Sequence, residues 1–263
     1  MDLGIRGRTA LISGGDSGIG LATAKLLRDE GVTVVLTDTD QDALDTAVRE
    51  LGEDVHAFAA DVTDPASVGR LVALVQGAVG DVDILVNSAG ITGATGPFHE
   101  IDDAGWDETL AVNLMGAVRL TRAFLPAMRV KGWGRIVFLA SEDAVQPYAD
   151  EIPYCAAKAG LLAVSKGMSK QYAREGILVN AVSPAFIATP MTDAMMEKRA
   201  EERGETFDEA VESFLAEERP HIEVQRRGEV DEVAPVIALL CSERASFVNG
   251  SNWRVDGGSV ASI

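Results

Sequence analysis

Short apolar runs rich in β-branched residues alternate along this chain with longer segments of helical periodicity. The runs that predict strands span residues 9–13, 32–37, 55–59, 84–87, 136–140, 178–183 and about 253–255. The predicted helices span roughly residues 18–30, 41–51, 65–79, 103–129, 153–174 and 231–242. This order predicts an α/β fold, in which right-handed crossovers build a doubly wound parallel sheet with helices on both faces. No linker or internal repeat divides the chain, so we expect a single domain over residues 1–263.

One segment, residues about 190–228, departs from this alternation between the sixth predicted strand and the last predicted helix. Residues 193–232 include 14 acidic and 6 basic residues, with helical spacing of apolar residues such as Phe207, Val211 and Phe214. Two interpretations remain open: a solvated helical pair with one apolar face, or a helical substrate flap. Both are compatible, because an insertion after the carboxyl end of a strand lies where such sheets bind ligands.

The charge balance excludes several classes of partner. The chain has 23 Lys and Arg against 41 Asp and Glu, a net charge of −18, which argues against binding nucleic acid or an anionic membrane. Residues 1–14 lack the pattern of a secretory signal, and no run of 18 apolar residues predicts a membrane span. Cys155 and Cys241 are too few for a disulfide framework, and the three histidines are scattered. We therefore expect a cytoplasmic protein with reduced thiols and no metal site.

A glycine-rich turn joins the first predicted strand to the first predicted helix. It reads Ser13, Gly14, Gly15, Asp16, Ser17, Gly18, Ile19 and Gly20. Glycines at these places let the backbone turn tightly and approach a pyrophosphate, which the amino end of the helix can bind through its free N–H groups. A glycine triplet alone also fits an ordinary turn. Its position between a strand and a helix, with an acid at the right distance, favours dinucleotide binding by a Rossmann fold.

The acid is Asp38, which ends the second predicted strand 18 residues after Gly20. A carboxylate there accepts hydrogen bonds from the adenosine ribose hydroxyls and repels a 2′-phosphate. Neither Ser17 nor Thr39 supplies a cation that would compensate a phosphate. An alternative role for Asp38 or Asp40 is to cap the next helix. The local chemistry favours NAD as cofactor, with NADP less favoured.

Tyr154 and Lys158 are four residues apart in a predicted helix and therefore share one of its faces. An ammonium group beside a phenol lowers the tyrosine pKa from about 10 and makes it a usable acid and base near neutral pH. The pair alone is common and also fits an ordinary surface contact.

Further residues resemble a known family when they are taken together with this pair. Ser141 ends the fifth predicted strand 13 residues before Tyr154, and Asn113 lies within the fourth predicted helix. The other matching motifs are Asn87-Ser88-Ala89-Gly90 after the fourth strand, Asp61-Val62 after the third strand, and the glycine-rich turn. In order and spacing these motifs resemble the short-chain dehydrogenase/reductase family, from about residue 7 to residue 258.

The resemblance implies a role for each matching residue. Tyr154 would exchange a proton with the substrate oxygen, to which Ser141 would donate a hydrogen bond. Lys158 would lower the tyrosine pKa and bind the nicotinamide ribose, and Asn113 would hold a water molecule of a proton relay. The turn from Gly14 to Gly20, with Asp16, Ser17, Gly18 and Ile19, would bind the pyrophosphate of the cofactor, and Asp38 would bind its adenosine ribose. Asp61 and Val62 would bind the adenine. The wall of the cofactor cleft would include Asn87, Ala89 and Gly90.

The segment Pro184-Ala185-Phe186-Ile187-Ala188-Thr189 resembles the family's nicotinamide-binding segment, which implies that Ile187 and Thr189 hold the carboxamide. Ala185 and Ser88 depart from the family pattern, which has glycine and asparagine there. The family also implies a homotetramer, with helices 103–129 and 153–174 paired across one interface and the carboxyl-terminal helix and strand across another.

These observations predict an NAD(H)-dependent oxidoreductase that acts on a secondary alcohol or ketone. The first alternative is a 3-oxoacyl-thioester reductase, against which Asp38 and the acidic charge argue. The second is an NAD-binding sensor without turnover, against which the complete catalytic set argues. Several acids, among them Glu142 and Asp143, lie between Ser141 and Tyr154. They either form a solvated loop, or face the pocket and exclude anions or recognise a polyol or a cation.

Overall fold

Seven parallel strands form one sheet in the order β3-β2-β1-β4-β5-β6-β7 in the structure, a computed structural model that describes residues 1–262. The strands are β1 (Thr9–Ser13), β2 (Thr33–Thr37), β3 (Val55–Ala57), β4 (Ile84–Asn87), β5 (Gly134–Leu139), β6 (Ile177–Pro184) and β7 (Asn252–Val255). Leu11 of β1 lies opposite Val35 of β2 on one side and Leu85 of β4 on the other. The doubly wound parallel sheet predicted from the sequence is confirmed.

Helices cover both faces of this sheet. They are α1 (Gly18–Asp29), α2 (Gln41–Leu51), α3 (Pro65–Val79), α4 (Asp103–Leu110), α5 (Ala117–Lys131), α6 (Ile152–Tyr172), α7 (Pro190–Arg203), α8 (Phe207–Glu217) and α9 (Val230–Leu240). Ile12 packs with Leu27 in the core under α1, α2 and α9, whereas Leu11 packs with Leu71 and Leu120 under α3, α5 and α6. Successive residues of a strand point to opposite faces, so a sheet buried on both faces needs continuous apolar runs.

The helix predicted over residues 103–129 is interrupted. A π-helical turn, Ala111–Gly116, separates α4 from α5 and contains Asn113. The Asn113 side chain is buried and bonds to the backbone of Ile91, so this turn is fixed by a contact distant in sequence. Single π-helical turns inside helices are frequent at functional sites.

The segment that follows β6 forms a helical pair, α7 and α8, and we call residues 190–228, which contain this pair, the flap. Each helix begins at a capping box, with Thr189 and Thr192 on α7 and Thr206 and Glu209 on α8. Phe186, Met196, Phe214 and Ile222 form a small apolar core beneath the pair. The flap therefore packs on its own core beside the carboxyl ends of the strands.

Two further observations concern the predictions from composition. Across residues 1–262, no helix combines the length and the apolar character needed to cross a membrane. Cys155 and Cys241 are both buried and free, and burial raises the pKa of their thiols, to about 11 and about 12 respectively. Both side chains therefore stay protonated near neutral pH.

Candidate active site

An open cleft lies at the carboxyl ends of β1, β4, β5 and β6, where the strand order reverses between β1 and β4. Such a switch point is the usual ligand site of an open α/β sheet. Most of the residues predicted from the sequence line this cleft: Gly14, Asp16, Ser17, Gly18, Ile19, Gly20, Asp38, Ala89, Gly90, Ser141, Tyr154, Lys158, Pro184, Ile187 and Thr189. The fold therefore brings together residues from six separate motifs.

The glycine-rich turn is shaped by two requirements that only glycine meets. Gly14 and Gly18 have φ of +65° and +52°, a region that other residues rarely adopt. A Cβ atom on Gly14 would lie 2.8 Å from the backbone nitrogen of Ala89, and one on Gly20 would overlap the carbonyl oxygen of Gly14. The turn thus packs closely against the segment after β4. That packing leaves the floor of the cleft free of side chains.

The amino end of α1 faces this cleft without a side-chain cap. Ser17 precedes the helix in extended backbone and makes no capping hydrogen bond, whereas Asp40 caps α2 by accepting hydrogen bonds from Asp42 N and Ala43 N. The first N–H groups of α1 are therefore available to an anion, and the helix dipole favours one there. The cap of α2 is Asp40, which leaves Asp38 for another role.

Two carboxylates occupy the end of the cleft beside β2. Asp38 is partly exposed and accepts a hydrogen bond of 2.6 Å from Thr39 N. Partial burial, followed by the charge of Asp38, raises the pKa of the Asp16 carboxyl. Among the described residues that line the cleft, Lys158 is the only lysine or arginine. An additional anionic group bound at this end of the cleft would be repelled by the Asp16 and Asp38 carboxylates, and no cation lies beside them in the described lining to offset that repulsion.

Tyr154 and Lys158 lie on α6 at the opposite end of the cleft, beside Ser141 at the end of β5. The Lys158 Nζ atom is 5.3 Å from the centre of the Tyr154 ring and donates a 2.8 Å hydrogen bond to Leu139 O. Burial lowers the pKa of Lys158 to about 8. Its amine therefore still carries a proton at neutral pH, but gives that proton up more readily than an exposed lysine does.

The pKa of Tyr154 differs from the expectation. Burial of the phenol raises this pKa above its usual value, and the nearby carboxylates Asp143 and Glu151 raise it further, while a hydrogen bond with Ser141 lowers it. The sequence argument considered only the charge of Lys158, whereas the raised pKa in this structure comes first from burial of the phenol and then from the acids of the intervening loop. Tyr154 holds its proton firmly in this structure and is suited to donate it.

Asn113 lies behind the cleft. Its Oδ1 accepts a 3.0 Å hydrogen bond from Ile91 N, and its Nδ2 donates to Ile91 O at 3.0 Å and to Thr109 O at 3.1 Å. A Cβ atom on Gly90 would lie 2.8 Å from Asn113 Oδ1 and 3.6 Å from Lys158 Nζ. The asparagine thus fixes the segment after β4 close to the lysine.

Comparison with known proteins identifies the family. A protein-family model described as "Enoyl-(Acyl carrier protein) reductase" matches residues 14–260. The chain belongs to the short-chain dehydrogenase/reductase family. It is 32% identical to D-beta-hydroxybutyrate dehydrogenase of Cupriavidus necator over 98% of this chain and 99% of that one. It is 34% identical to 3-oxoacyl-acyl-carrier-protein reductase of Salmonella typhimurium over 97% and 98%.

A solved structure of a further family member extends the comparison. L-sorbose reductase from Gluconobacter frateurii, complexed with NADPH and L-sorbose, is 36% identical and covers all of both chains with a TM-score of 0.94. These relatives belong to the same family, while their names cover several substrates. Membership of the family therefore leaves the substrate and the choice between NAD and NADP to be argued from this chain's own residues.

Some residues that the family resemblance singled out lie outside the cleft lining. Asp61 is exposed, and its pKa is lowered because its carboxylate accepts hydrogen bonds from Thr63 Oγ1 and Thr63 N, each of 2.7 Å. Val62 is buried, and a Cβ atom added to Gly116 would lie 2.6 Å from it. Asn87 is buried and donates a 3.2 Å hydrogen bond to Thr121 Oγ1. Their contacts with a cofactor stay predictions.

The sequence argument assigned no role to two further residues of this site, Ser13 and Arg219. Ser13 Oγ accepts hydrogen bonds of 3.2 Å from both Ser88 N and Ala89 N, and so ties the end of β1 to the segment after β4. A second cavity adjoins the cleft across Ser141 and Tyr154, and Arg219 of the flap reaches its wall. The only sequence signal for Arg219 is its position as a basic residue in an acidic segment.

Proposed function

We propose that this protein interconverts a secondary alcohol and a ketone with NAD(H), using Tyr154 as the acid and base. The proposal rests on one observation: Tyr154, Ser141 and Lys158 lie together at one end of a cleft, and the glycine-rich turn forms its other end. A cofactor along the cleft would reach both ends. The phenol would then lie beside the reacting carbon.

The residues of the cleft fit a nicotinamide dinucleotide. The bare glycine floor and the uncapped amino end of α1 suit its pyrophosphate, and Asp38 suits the hydroxyls of its adenosine ribose. Lys158 would bind the second ribose, and Ile187 and Thr189 would hold the carboxamide. When bound, such a cofactor accepts a hydride from the substrate carbon in one direction and returns it in the other.

The chain's own residues handle the proton. During reduction, Tyr154 gives its hydroxyl proton to the substrate oxygen, while Ser141 donates a hydrogen bond that holds this oxygen in place. During oxidation the tyrosine takes the proton back, and a charged Lys158 stabilises the phenolate. Because burial, Asp143 and Glu151 raise the pKa of Tyr154, we expect this protein to reduce ketones readily at neutral pH and to oxidise alcohols faster as the pH rises.

The residues of the cleft and the solved structure of a relative favour different cofactors, NAD and NADP respectively. Asp16 and Asp38, with no cation beside them in the described cleft lining, favour NAD. The complex of L-sorbose reductase contains NADPH, which favours NADP. We propose NAD on the basis of the two carboxylates. Steady-state KM values for NADH and NADPH test this choice, and the variant Asp38→Ser should raise the relative use of NADPH.

A 3-oxoacyl-thioester reductase is the second candidate, supported by the Salmonella typhimurium relative and by the description of the family model. The net charge of −18 argues against it, because an acidic carrier protein would be repelled. Acetoacetyl-coenzyme A and an acyl carrier protein thioester, assayed beside simple ketones, distinguish the two functions.

The decisive experiment follows absorbance of the reduced nicotinamide with a panel of secondary alcohols and ketones. We expect turnover that is lost in Tyr154→Phe and retained in Tyr172→Phe, a matched variant at the far end of α6. Cofactor binding without turnover of any substrate would instead indicate an NAD-binding sensor. Assembly as a homotetramer stays a prediction from the family, which light scattering after size-exclusion chromatography tests.

A further inference from the structure

The second cavity lies beside the catalytic end of the cleft and shares Ser141 and Tyr154 with it. Its charged lining residues are Glu142, Asp143 and Glu151 from the segment before α6, and Arg219 from the flap. The side chains are buried: Glu142 is 1%, Asp143 5% and Arg219 8% exposed. The interpretation of these acids as a solvated loop is therefore wrong.

Arg219 is held firmly among these acids. Its Nε atom is 3.8 Å from Glu142 Oε1, and its Nη2 atom is 3.4 Å from Glu151 Oε1. Its guanidinium also lies 3.5 Å from the centre of the Tyr148 ring. One cation thus pairs with two carboxyl groups. Nη1 also donates a 3.2 Å hydrogen bond to Glu218 O, which leaves Nε and one N–H of Nη1 without a hydrogen bond of ordinary length in these contacts.

Asp143 and Glu151 line the same cavity, and both carboxyls hold a proton more readily than exposed acids do. Burial is the largest cause of the raised pKa of each carboxyl, and the pKa of Glu151 rises to about 7. A carboxyl pair with one proton can both donate and accept hydrogen bonds.

Glu142 has an unused oxygen. Its Oε1 accepts a 3.2 Å hydrogen bond from the Tyr148 hydroxyl, but its buried Oε2 has no partner among the described residues. The Ser259 hydroxyl lies on this side, yet it accepts a 3.4 Å hydrogen bond from Gln146 and makes no bond of ordinary length to Oε2. A buried carboxylate oxygen without a donor is costly, and Glu142 lines the cavity. A donor on a bound ligand would satisfy it.

We propose that this cavity binds the hydroxyl groups of a neutral polyhydroxylated substrate, with Glu142 Oε2 accepting a hydrogen bond from one hydroxyl and Arg219 donating to another. This subsite rests on the function proposed above and names its substrate class: a polyol, or the ketose that corresponds to it. The carbonyl or carbinol group would lie at Tyr154 and Ser141, and the remaining hydroxyls would extend into the cavity.

The charges decide between ligand classes. An anionic substrate would meet Glu142 and the ionised member of the carboxyl pair. A cationic substrate would meet Arg219, which already occupies the centre of the acids. A simple alcohol would leave Glu142 Oε2 unsatisfied. Hydroxyl groups donate and accept at once, so a polyol satisfies both the unpaired oxygen and the free N–H groups of the arginine.

The experiment compares kcat and KM of the wild type with those of Glu142→Gln and Glu100→Gln. Glu100 is exposed and outside both cavities, so its variant is a matched control for the change in charge. The neutral polyhydroxylated substrates are D-sorbitol, D-mannitol, xylitol and L-sorbose. Simple 2-pentanol and 2-pentanone, the anion D-gluconate and the cation N-methyl-D-glucamine complete the panel.

We expect wild-type kcat/KM for at least one polyol or ketose to exceed that for the simple pair and for both charged compounds by about tenfold or more. Glu142→Gln should lower this value by about tenfold or more, mainly through KM, and leave the simple pair within about twofold. Glu100→Gln should match the wild type. Arg219→Lys, which keeps the charge but loses the fork, should show the same selective loss if Glu142→Gln folds poorly.

Three results would overturn this subsite. The first is a preference for the simple pair or for a charged compound. The second is an equal loss on all substrates in Glu142→Gln, which indicates a structural role. The third is unchanged polyol kinetics in that variant. Turnover of 2-pentanone without turnover of any polyol overturns the subsite alone, whereas no turnover of any compound also overturns the proposed function.

Discussion

Glu151→Gln should stabilise this protein at neutral pH but not in acid. Burial, followed by repulsion from Asp143, raises the pKa of Glu151 from 4.5 to about 7. A carboxyl whose pKa is higher in the folded than in the unfolded chain favours folding while it is protonated. That contribution is complete below about pH 4.5 and is lost as the pH rises through about 7.

The expected size follows from this difference in pKa. At about 1.4 kcal/mol per pH unit, the gap between 4.5 and about 7 corresponds to about 3 kcal/mol. The Glu151 side chain is only 13% exposed, so solvent screens little of this effect. Glutamine has a similar shape and does not ionise. The free energy of unfolding of the variant, relative to the wild type, should therefore rise by up to about 3 kcal/mol between pH 4.5 and pH 8.

Urea denaturation at pH 4.5, 6 and 8, at one protein concentration, measures this difference. The charge of Arg219 lowers the pKa of Glu151, and the value of about 7 already includes this effect. The diagnostic quantity is therefore the change in the relative free energy of unfolding between pH 4.5 and pH 8. Glu100→Gln, at an exposed position, should show no such change. A relative stability of Glu151→Gln that is the same at pH 4.5 and pH 8 would refute the reasoning.

Three further substitutions test other parts of the structure. Gly20→Ala should weaken NADH binding by at least about tenfold in fluorescence titration, because the added Cβ would overlap the carbonyl oxygen of Gly14. Gly69→Ala is the control and should leave NADH binding unchanged, because a Cβ there has no atom within 4 Å. Phe214→Ala should lower the free energy of unfolding by about 3 kcal/mol or more, and exposed Phe247→Ala by almost nothing, in urea denaturation. Asn113→Ala should cost about 1–3 kcal/mol in the same assay and also reduce kcat, because it leaves backbone groups after β4 unpaired.

Local signals placed most of the elements. The predicted strand 84–87 and helices 41–51 and 65–79 have the same bounds as β4 (Ile84–Asn87), α2 and α3 in the structure. Helix α3 shows why: Asp64 caps its amino end, Pro65 begins it and Gly80 ends it, all within the segment itself. Such boundaries need no knowledge of the rest of the chain.

Contacts between distant segments decided what the local pattern missed. The π-helical turn at Asn113 interrupts a segment whose apolar spacing predicts one continuous helix, because the asparagine bonds to Ile91, 22 residues away. Strand β6 likewise extends one residue beyond the predicted run 178–183 at each end, and β5 begins two residues before the predicted run 136–140 and ends one residue before its end. The early start of β5 comes from the pairing of Gly134 with Ile177.

The sequence by itself determined the layered α/β fold, the glycine-rich turn and the set of residues that meets at the cleft, because periodicity and turn chemistry act over a few residues. Only the tertiary structure decided the charge around Tyr154. Its pKa depends first on burial and then on the charges of Asp143 and Glu151, and Arg219 reaches Glu151 from the flap, 68 residues further along the chain. Electrostatic energy depends on distance in space and on exclusion of water, and neither quantity exists until the chain has folded.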